Sequence, residues 1–315
     1  MSAITNRLLG VSIVVTIIMM VLTGLYLDWS RALVALGQAD LWWLLAALVL
    51  MVINYLLRTW RFRVLLDLTG KSFPATLGVT ILHGMFNYML PAKSGELSYP
   101  LLAKQHLGVS LNKSTATLIA ARFFDFGVIA LLLPLTLIQY SESMPGWVVP
   151  VSVGYCLIVL VTAGGLLFYL RRTQAPQMKI ATRFTHRVSN AVEQTLESLR
   201  VIDRRRQYFT LWIQSYAIWL CVLMLYYSIT SALGFEATLG QMVLVSVILI
   251  PLSLSPVQGL ANLGTHEAGW VAAFSLFGYG FDDAFSLAVT SHVVLFVLFV
   301  LIGFCGMLLV ARRGA

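Results

Sequence analysis

The sequence predicts an all-α polytopic membrane protein with two inverted repeats, each of three spans plus a broken, re-entrant helix pair. The first observation is composition: 59% of the residues are hydrophobic and only 11% are charged, whereas soluble domains carry about 25% charged residues. The second is the recurrence of long apolar stretches, and the third is the uneven distribution of basic residues between them. Lipid is therefore the expected solvent for most of the chain.

Six apolar stretches are long enough to cross a membrane, which takes about 20 residues of helix. These stretches are residues 8–27, 41–57, 114–138, 147–170, 208–233 and 284–310. The first is expected to be a retained span, because no small-residue cleavage site of a signal peptide follows it. Shorter apolar stretches interrupted by Pro, Gly and charge predict two broken helix pairs, 73–90 with 95–103 and 240–254 with 267–278.

Basic residues accumulate in alternate loops of this arrangement, whereas the other loops carry mainly Asp and Glu. Cytoplasmic loops of membrane proteins are enriched in Lys and Arg. We therefore predict a multi-pass protein of a bacterial or archaeal cytoplasmic (inner) membrane, with both termini in the cytoplasm. The net charge of +8 then indicates contact with the negative inner leaflet rather than with nucleic acid.

One long polar segment, residues 171–207, interrupts the apolar chain. Its apolar residues recur at helical spacing with basic residues between them, which is typical of an amphipathic helix lying on a membrane surface. The predicted organisation is a first membrane repeat (1–170), this cytoplasmic linker helix (171–207) and the remainder of the second repeat (208–315). The first span of the second repeat is 147–170.

A faint internal repeat relates the two broken pairs. Each contains a Glu, a Gly and a basic or titratable residue at nearly equal spacing, namely Glu96, Gly108 and Arg122, then Glu267, Gly278 and His292. The first pair has basic flanks and the second acidic flanks, so the repeats are expected to be inverted. Such repeats are typical of transporters whose site lies near the midplane. We therefore expect Glu96 and Glu267 to approach each other across a pseudo-two-fold axis.

The first half supplies six candidate substrate-binding residues around its broken pair. Irregular backbone at membrane depth must be buried in protein or line a wet cavity. Ser94 is expected to cap a new helix whose positive end, together with Lys93, favours an anionic headgroup. Alternatively, Lys93 only extends to the interface, and other charges only clamp the pair to the long helix. The candidates are Asn87, Lys93, Ser94, Glu96, Arg122 and Asp125.

The second half supplies five further candidates: Asn262, Thr265, His266, Glu267 and His292. Thr265 is expected to cap a helix. The two His residues and Glu267 form a titratable cluster compatible with proton coupling, with Glu267 as the proton-exchanging member. Buried histidines with satisfied hydrogen bonds are the alternative. We expect neither a metal nor another cofactor, since a zinc-motif spacing, paired cysteines and a nucleotide-binding Gly-rich loop are missing.

Five short motifs carry a family resemblance, namely residues 91–96, 107–110, 122–125, 256–267 and 276–278. Together they resemble the flippase-like transmembrane region of lysylphosphatidylglycerol synthases. The resemblance implies a lipid transporter that moves an anionic phospholipid or a polyprenyl-phosphate lipid between leaflets. It implies no enzyme, because the soluble aminoacyl-transfer domain of the synthases has no expected counterpart. Ser98 and His292 each stand where that family often has an Arg, so the transported lipid is expected to differ.

Two other functions stay open from the residues alone. One is a membrane-embedded enzyme acting on a lipid headgroup, with Glu96, Glu267 or His266 as general acid or base. No nucleophile with a positioned base is recognisable to support it. The other is a non-catalytic partner of a lipid synthase.

Overall fold

The computed structural model describes residues 3–68, 70, 72–140, 145–172, 207–254 and 258–311. Within these ranges the chain is helical, and 3-10 segments at Pro91–Leu97 and Leu260–Asn262 precede two of the helices. The α-helices are α1 (Ala3–Tyr26), α2 (Trp29–Gly37), α3 (Leu41–Leu66), α4 (Phe73–Met89), α5 (Ser98–Leu107), α6 (Leu111–Tyr140), α7 (Val148–Arg172), α8 (Tyr208–Ala232), α9 (Leu239–Leu254), α10 (Thr265–Ser275) and α11 (Phe281–Ala311).

Six of the described helices are long and apolar enough to cross a membrane, namely α1, α3, α6, α7, α8 and α11. They overlap the six predicted spans, with the ends of three spans differing by one residue, and a multi-pass membrane protein is confirmed. Large apolar side chains such as Trp42, Ile138 and Phe209 are exposed on these helices. Such exposure is expected where lipid surrounds the protein, because lipid tails are as apolar as these side chains.

Helix α3 is longer than the predicted span 41–57. It continues through Arg58 and Arg61 to Leu66, so these two arginines belong to the helix. Arg61 is only 1% exposed, and it is tolerated inside the protein because a carboxylate on α6 pairs with it. A helix can carry such a charge when a partner removes the cost of burying it alone.

Both predicted helix breaks are present, between α4 and α5 and between α9 and α10. Each contains two consecutive non-glycine residues with left-handed backbone: Ala92 and Lys93 at φ 55° and 56°, Ala261 and Asn262 at φ 52° and 68°. Such conformations cost about 1–3 kcal/mol each and persist only where the surrounding contacts enforce them. The breaks contact each other, since the Ala92 N–H donates to the Gln258 carbonyl at 3.3 Å. The re-entrant path and the inverted orientation stay predictions.

The expected helix caps differ from those in the structure. Ser94 lies within the first 3-10 segment and donates to the Pro91 carbonyl at 2.7 Å, while α5 begins four residues later. Gly264, not Thr265, precedes α10, and the side chain of Glu267 accepts its N–H at 2.7 Å. Both cap predictions were wrong, because each hydroxyl group donates to a nearby residue of its own break, Ser94 to Pro91 and Thr265 to Asn262.

The two halves of the chain share one interior. Helix α3 packs along α8, and α4 packs along α11, so each of these pairs joins the first half to the second. Small residues permit the closest approach: a Cβ on Gly303 would lie 2.1 Å from the Met85 sulfur. A Cβ on Gly306 would lie 2.6 Å from Ile81 Cγ2. Small residues are typical of helix contacts inside membranes, where they increase van der Waals contact.

Three loops that the charge pattern assigns to one side of the membrane meet in space. The Arg31 side chain lies 3.3 Å from Asp28 and 3.9 Å from Asp283. The Asp40 N–H donates to the carbonyl of Ala232, the last residue of α8. The loops after α1, after α8 and before α11 therefore lie at the same end of the helices. The predicted linker helix lies outside the described residues, apart from 171, 172 and 207.

Candidate functional site

A buried ion pair fastens α3 to α6. Arg61 Nη1 lies 2.6 Å from Asp125 Oδ1 and 3.0 Å from the Ser215 hydroxyl of α8. Trp219 of α8 also donates to Asp125, at 3.3 Å. Asp125 is 4% exposed, and all these partners are protein groups. The structure therefore places Asp125 in a clamp that joins three helices, beside the cavity described below rather than on its wall.

Arg122 connects this clamp to the first helix break. Its Nη2 atom lies 2.7 Å from Glu96 Oε1, and its Nη1 atom lies 3.6 Å from Asp125 Oδ2. Glu96, Arg122 and Asp125 thus form one network. About one third of the Arg122 and Glu96 side chains is exposed, so Arg122 can still present donors to a ligand.

A cavity of about 250 Å³ lies against this network. Its cationic lining consists of Arg58, Lys93 and Arg122, with His83 and His266 as further titratable groups, and its lining residues include no Asp or Glu. Helices of both halves contribute to the wall, although the cations all come from the first half. The cavity is therefore an electropositive space between helices of both halves.

Two of these cations have no carboxylate partner among the described residues. Arg58 is oriented through Nε, which donates to Asn54 Oδ1 at 2.7 Å, and Asn54 in turn donates to the Ile218 carbonyl. No carboxylate in the described part of the chain lies within ion-pair distance of Arg58 or Lys93. Because an isolated charge is costly away from water, both groups are suited to binding an anion.

Polar atoms on the cavity wall also lack protein partners. Asn87 Oδ1, the Tyr88 hydroxyl and the Ser246 hydroxyl are buried and make no hydrogen bond within the described structure, and all three residues line the cavity. Buried polar groups in proteins are nearly always hydrogen-bonded. These atoms therefore extend the binding capacity of the cavity beyond its cations.

We call the charged groups around this cavity the first-half cluster. It comprises Arg58, Arg61, Lys93, Glu96, Arg122 and Asp125.

The second-half cluster consists of Glu267 and His292, which are in direct contact through Oε1 and Nδ1. His292 Nε2 lies 2.7 Å from the Ala261 carbonyl. A carbonyl only accepts, so Nε2 donates to it, and the bond to Glu267 then needs a second proton. The pair therefore joins a carboxyl group, an imidazole and a backbone carbonyl in one chain of contacts.

This pair faces an apolar groove rather than the electropositive cavity. Met20 and Trp29 line the groove together with Phe296, and its volume is about 510 Å³. Residues Asn262, Thr265 and His266 line the cavity instead. The segment 260–267 is thus a wall with the charged cavity on one side and the apolar groove on the other.

His266 is held by protein contacts. Its Nε2 atom lies 3.2 Å from the Ser291 hydroxyl, and its ring stacks on Trp270 with the centroids 5.2 Å apart. Within the described ranges no group of three His, Cys, Asp or Glu side chains is arranged to hold a metal ion. The titratable residues of the second half are therefore arranged for hydrogen bonding.

The predicted site residues fall into three groups. Ser94 is exposed outside the cavity, and Asp125 lies in the clamp. Glu96 pairs with Arg122 without lining the cavity. Glu267 and His292 contact each other and line the groove. The remaining candidates line the cavity: Asn87, Lys93, Arg122, Asn262, Thr265 and His266.

Sequence reasoning missed Arg58, Arg61, His83 and Tyr88. The signal for the arginines was present, because no Pro or Gly ends the helix between residue 57 and Arg61. Polar residues following an apolar stretch without a helix breaker can continue the helix and turn inward.

Comparison with known proteins supports a lipid-related role. The search of curated proteins finds no match. The family model described as the lysylphosphatidylglycerol synthase TM region matches residues 7–303, which is nearly the whole chain and confirms the resemblance carried by the motifs. The chain belongs to this family of membrane proteins linked to lipid metabolism.

Proposed function

We propose that the protein is a flippase-like transporter that moves an anionic phospholipid or a polyprenyl-phosphate lipid between membrane leaflets. One observation carries the proposal: the cavity is lined by Arg58, Lys93 and Arg122 and by no Asp or Glu among its lining residues. A headgroup that crosses a membrane must keep its charge compensated while water is excluded. Fixed cations inside the protein supply that compensation.

The apolar groove supports the same function. It lies across the wall of residues 260–267 from the cavity. A lipid needs a polar site for its headgroup and apolar surroundings for its tails. The close placement of the two surfaces suits an amphipathic substrate better than a small soluble ion.

The proposal includes inverted repeats in a bacterial or archaeal inner membrane, with cytoplasmic termini. The excess of Lys and Arg in alternate loops supports this orientation. The contacts of Arg31 with Asp28 and Asp283 support it further, because these residues belong to loops assigned to the outer side. Two inverted repeats would let the cavity open to each side in turn.

We also place proton coupling in the second-half cluster. Its support is the direct contact of Glu267 with His292, which joins two ionisable side chains beside the wall segment. Histidine is suited to this task, since its protonation changes near physiological pH. Movement of the wall during transport would change the partners of both side chains and release or take up that proton.

Reconstitution tests the proposal directly. Liposomes containing the purified protein receive labelled phosphatidylglycerol, phosphatidic acid, polyprenyl phosphate or phosphatidylcholine, with and without a proton gradient. We expect an anionic lipid to exchange between leaflets faster than in empty liposomes, and phosphatidylcholine to show no increase. The variant Lys93→Gln should lower the rate, whereas Lys104→Gln on the exposed face of α5 should not. Equal rates in all liposomes would reject transport of these lipids.

A membrane-embedded enzyme is the second candidate, and one observation favours it. The buried Glu267–His292 pair resembles a general acid–base arrangement beside an apolar groove. Mass spectrometry of lipids from a deletion strain separates the two functions. A missing lipid product would favour the enzyme, and an unchanged lipid pool with altered leaflet distribution would favour the transporter.

A further inference from the structure

We infer that the cavity takes a headgroup ending in a phosphate monoester, which carries two negative charges, rather than a phosphodiester, which carries one. This inference rests on the proposed function and deepens it by naming the substrate class. The shared chemistry is a terminal phosphate, whether it belongs to a lipid or to free phosphate.

The charge balance of the first-half cluster is the first step. Arg61 is compensated by Asp125, and Arg122 is compensated by Glu96. The two remaining cations, Arg58 and Lys93, have no carboxylate partner among the described residues, so the cluster holds two excess positive charges. A monoanion would leave one of them uncompensated, whereas a dianion balances both.

The geometry of the free donors is the second step. Arg58 uses Nε to bond Asn54, which leaves its terminal nitrogens for a ligand. Lys93 extends from the helix break into the same cavity. A terminal phosphate offers three acceptor oxygens, so it can contact both cations at once. A diester has only two such charged oxygens.

The uncharged lining is the third step. The Tyr88 hydroxyl and the Ser246 hydroxyl are buried and unpartnered in the described structure, and they line the cavity with the cations. Each can donate to a phosphate oxygen. Only 9% of Tyr88 is exposed, so the cavity that it lines has a buried donor with no protein partner in the described structure.

The experiment compares two lipids that differ by one methyl group. Dioctanoyl phosphatidic acid has a monoester, and dioctanoyl phosphatidylmethanol has the matching diester. Each is titrated into the full-length protein in uncharged detergent at pH 8 and pH 5, with inorganic phosphate as a third ligand. At pH 8 we expect phosphatidic acid to bind about tenfold more tightly than phosphatidylmethanol, the effect of one further charge interaction.

The pH dependence identifies the charge of the ligand. The second ionisation of a phosphate monoester lies near pH 6, so the preference should shrink at pH 5. Protein groups facing the cavity also titrate or carry charge: Arg58 on α3, His83 on α4, Lys93 at the break, Arg122 on α6 and His266 on α10. Phosphatidylmethanol keeps one negative charge at both pH values, so its own change in affinity reports how these protein groups respond to pH. Any further change in the affinity of phosphatidic acid then reports the second ionisation of the monoester.

Two variants test the named cations. Lys93→Gln should reduce the preference to about twofold with little change in phosphatidylmethanol binding, and Arg58→Gln should do the same if Lys93→Gln does not fold. Lys104→Gln on α5 is the matched control and should keep the wild-type ratio. A preference that survives loss of either cation would overturn the inference.

The remaining outcomes separate this inference from the proposed function. Equal binding of both lipids overturns the inference and leaves lipid transport standing. Binding of inorganic phosphate as tight as that of phosphatidic acid supports the charge argument but assigns the site to free phosphate, against lipid transport. No binding of any of the three ligands contradicts both.

Discussion

Each of the two clusters contains a glutamate, Glu96 in the first and Glu267 in the second, and the two glutamates have different partners. In the first-half cluster Glu96 pairs with Arg122, which is charged at every physiological pH, and about one third of both side chains is exposed. In the second-half cluster Glu267 contacts His292, and both are buried beside an apolar groove. The sequence separations are nearly equal, 26 and 25 residues. The comparison teaches that a glutamate at a similar sequence separation from its partner can pair with a permanent cation or with a histidine.

The anchoring of the clusters also differs. The first-half cluster continues into Arg61 and Asp125, which tie α3, α6 and α8 together. In the second-half cluster, His292 contacts the Ala261 carbonyl and Glu267 accepts a hydrogen bond from the Gly264 N–H. The first arrangement therefore stabilises helix packing, whereas the second depends on the conformation of the wall segment.

The largest effect is expected from breaking the first-half anchor. Asp125→Asn leaves Arg61 buried without its carboxylate, and removing one partner of a buried pair costs about 3–5 kcal/mol. We expect a large loss of thermal stability in detergent, measured by unfolding of the purified protein. Replacing both residues, Arg61→Met with Asp125→Leu, should recover a good part of that loss.

Asp283→Asn is the matched control for this variant. Its carboxylate lies 3.9 Å from Arg31 in an exposed pair, and exposed pairs contribute about 0–1 kcal/mol. Equal stability losses for Asp125→Asn and Asp283→Asn would show that Asp125 is not a clamp.

The spans and both helix breaks were predictable from the sequence because they depend on local chemistry. Apolar runs of about 20 residues form spans, and Pro91 with Gly95 interrupts one helix while a Pro- and Gly-rich stretch interrupts the other. The contact of Glu96 with Arg122 agrees with the general rule that charges inside a membrane have partners.

The rest depended on contacts between distant segments. Arg61 joins the site only because Asp125, 64 residues later, lies opposite it. Ser94 loses its expected capping role because the break folds back on Pro91. Glu267 lines the groove rather than the cavity. The left-handed backbone at Ala261 in the same segment was not predictable, because alanine rarely adopts that conformation.

The second prediction concerns the proton of the second-half cluster. In Glu267→Gln a neutral His292 can still donate from Nε2 to Ala261 and accept at Nδ1 from the new amide, so every hydrogen bond is kept. We expect little change in thermal stability. Because the exchangeable proton is gone, transport by this variant should lose its pH dependence between pH 5.5 and 8.5.

His106→Gln on α5 is the control for this measurement, because it removes a titratable group that does not line the cavity or the groove. Infrared spectra give a second readout: the carboxyl or carboxylate band of Glu267 should disappear in the variant. A pH profile unchanged from the wild type would place proton exchange elsewhere.

The smallest effect is expected for Glu96→Gln. Gln can still accept the Arg122 hydrogen bond, and because the pair is about one third exposed, solvent screens it. We expect a loss of about 1 kcal/mol or less in the free energy of unfolding, although Arg122 should shift towards Asp125. Removal of a negative charge next to the cavity should strengthen binding of phosphatidic acid several-fold. The same binding titration at pH 8 measures it, and weaker binding would show that Glu96 acts mainly by orienting Arg122 for the headgroup.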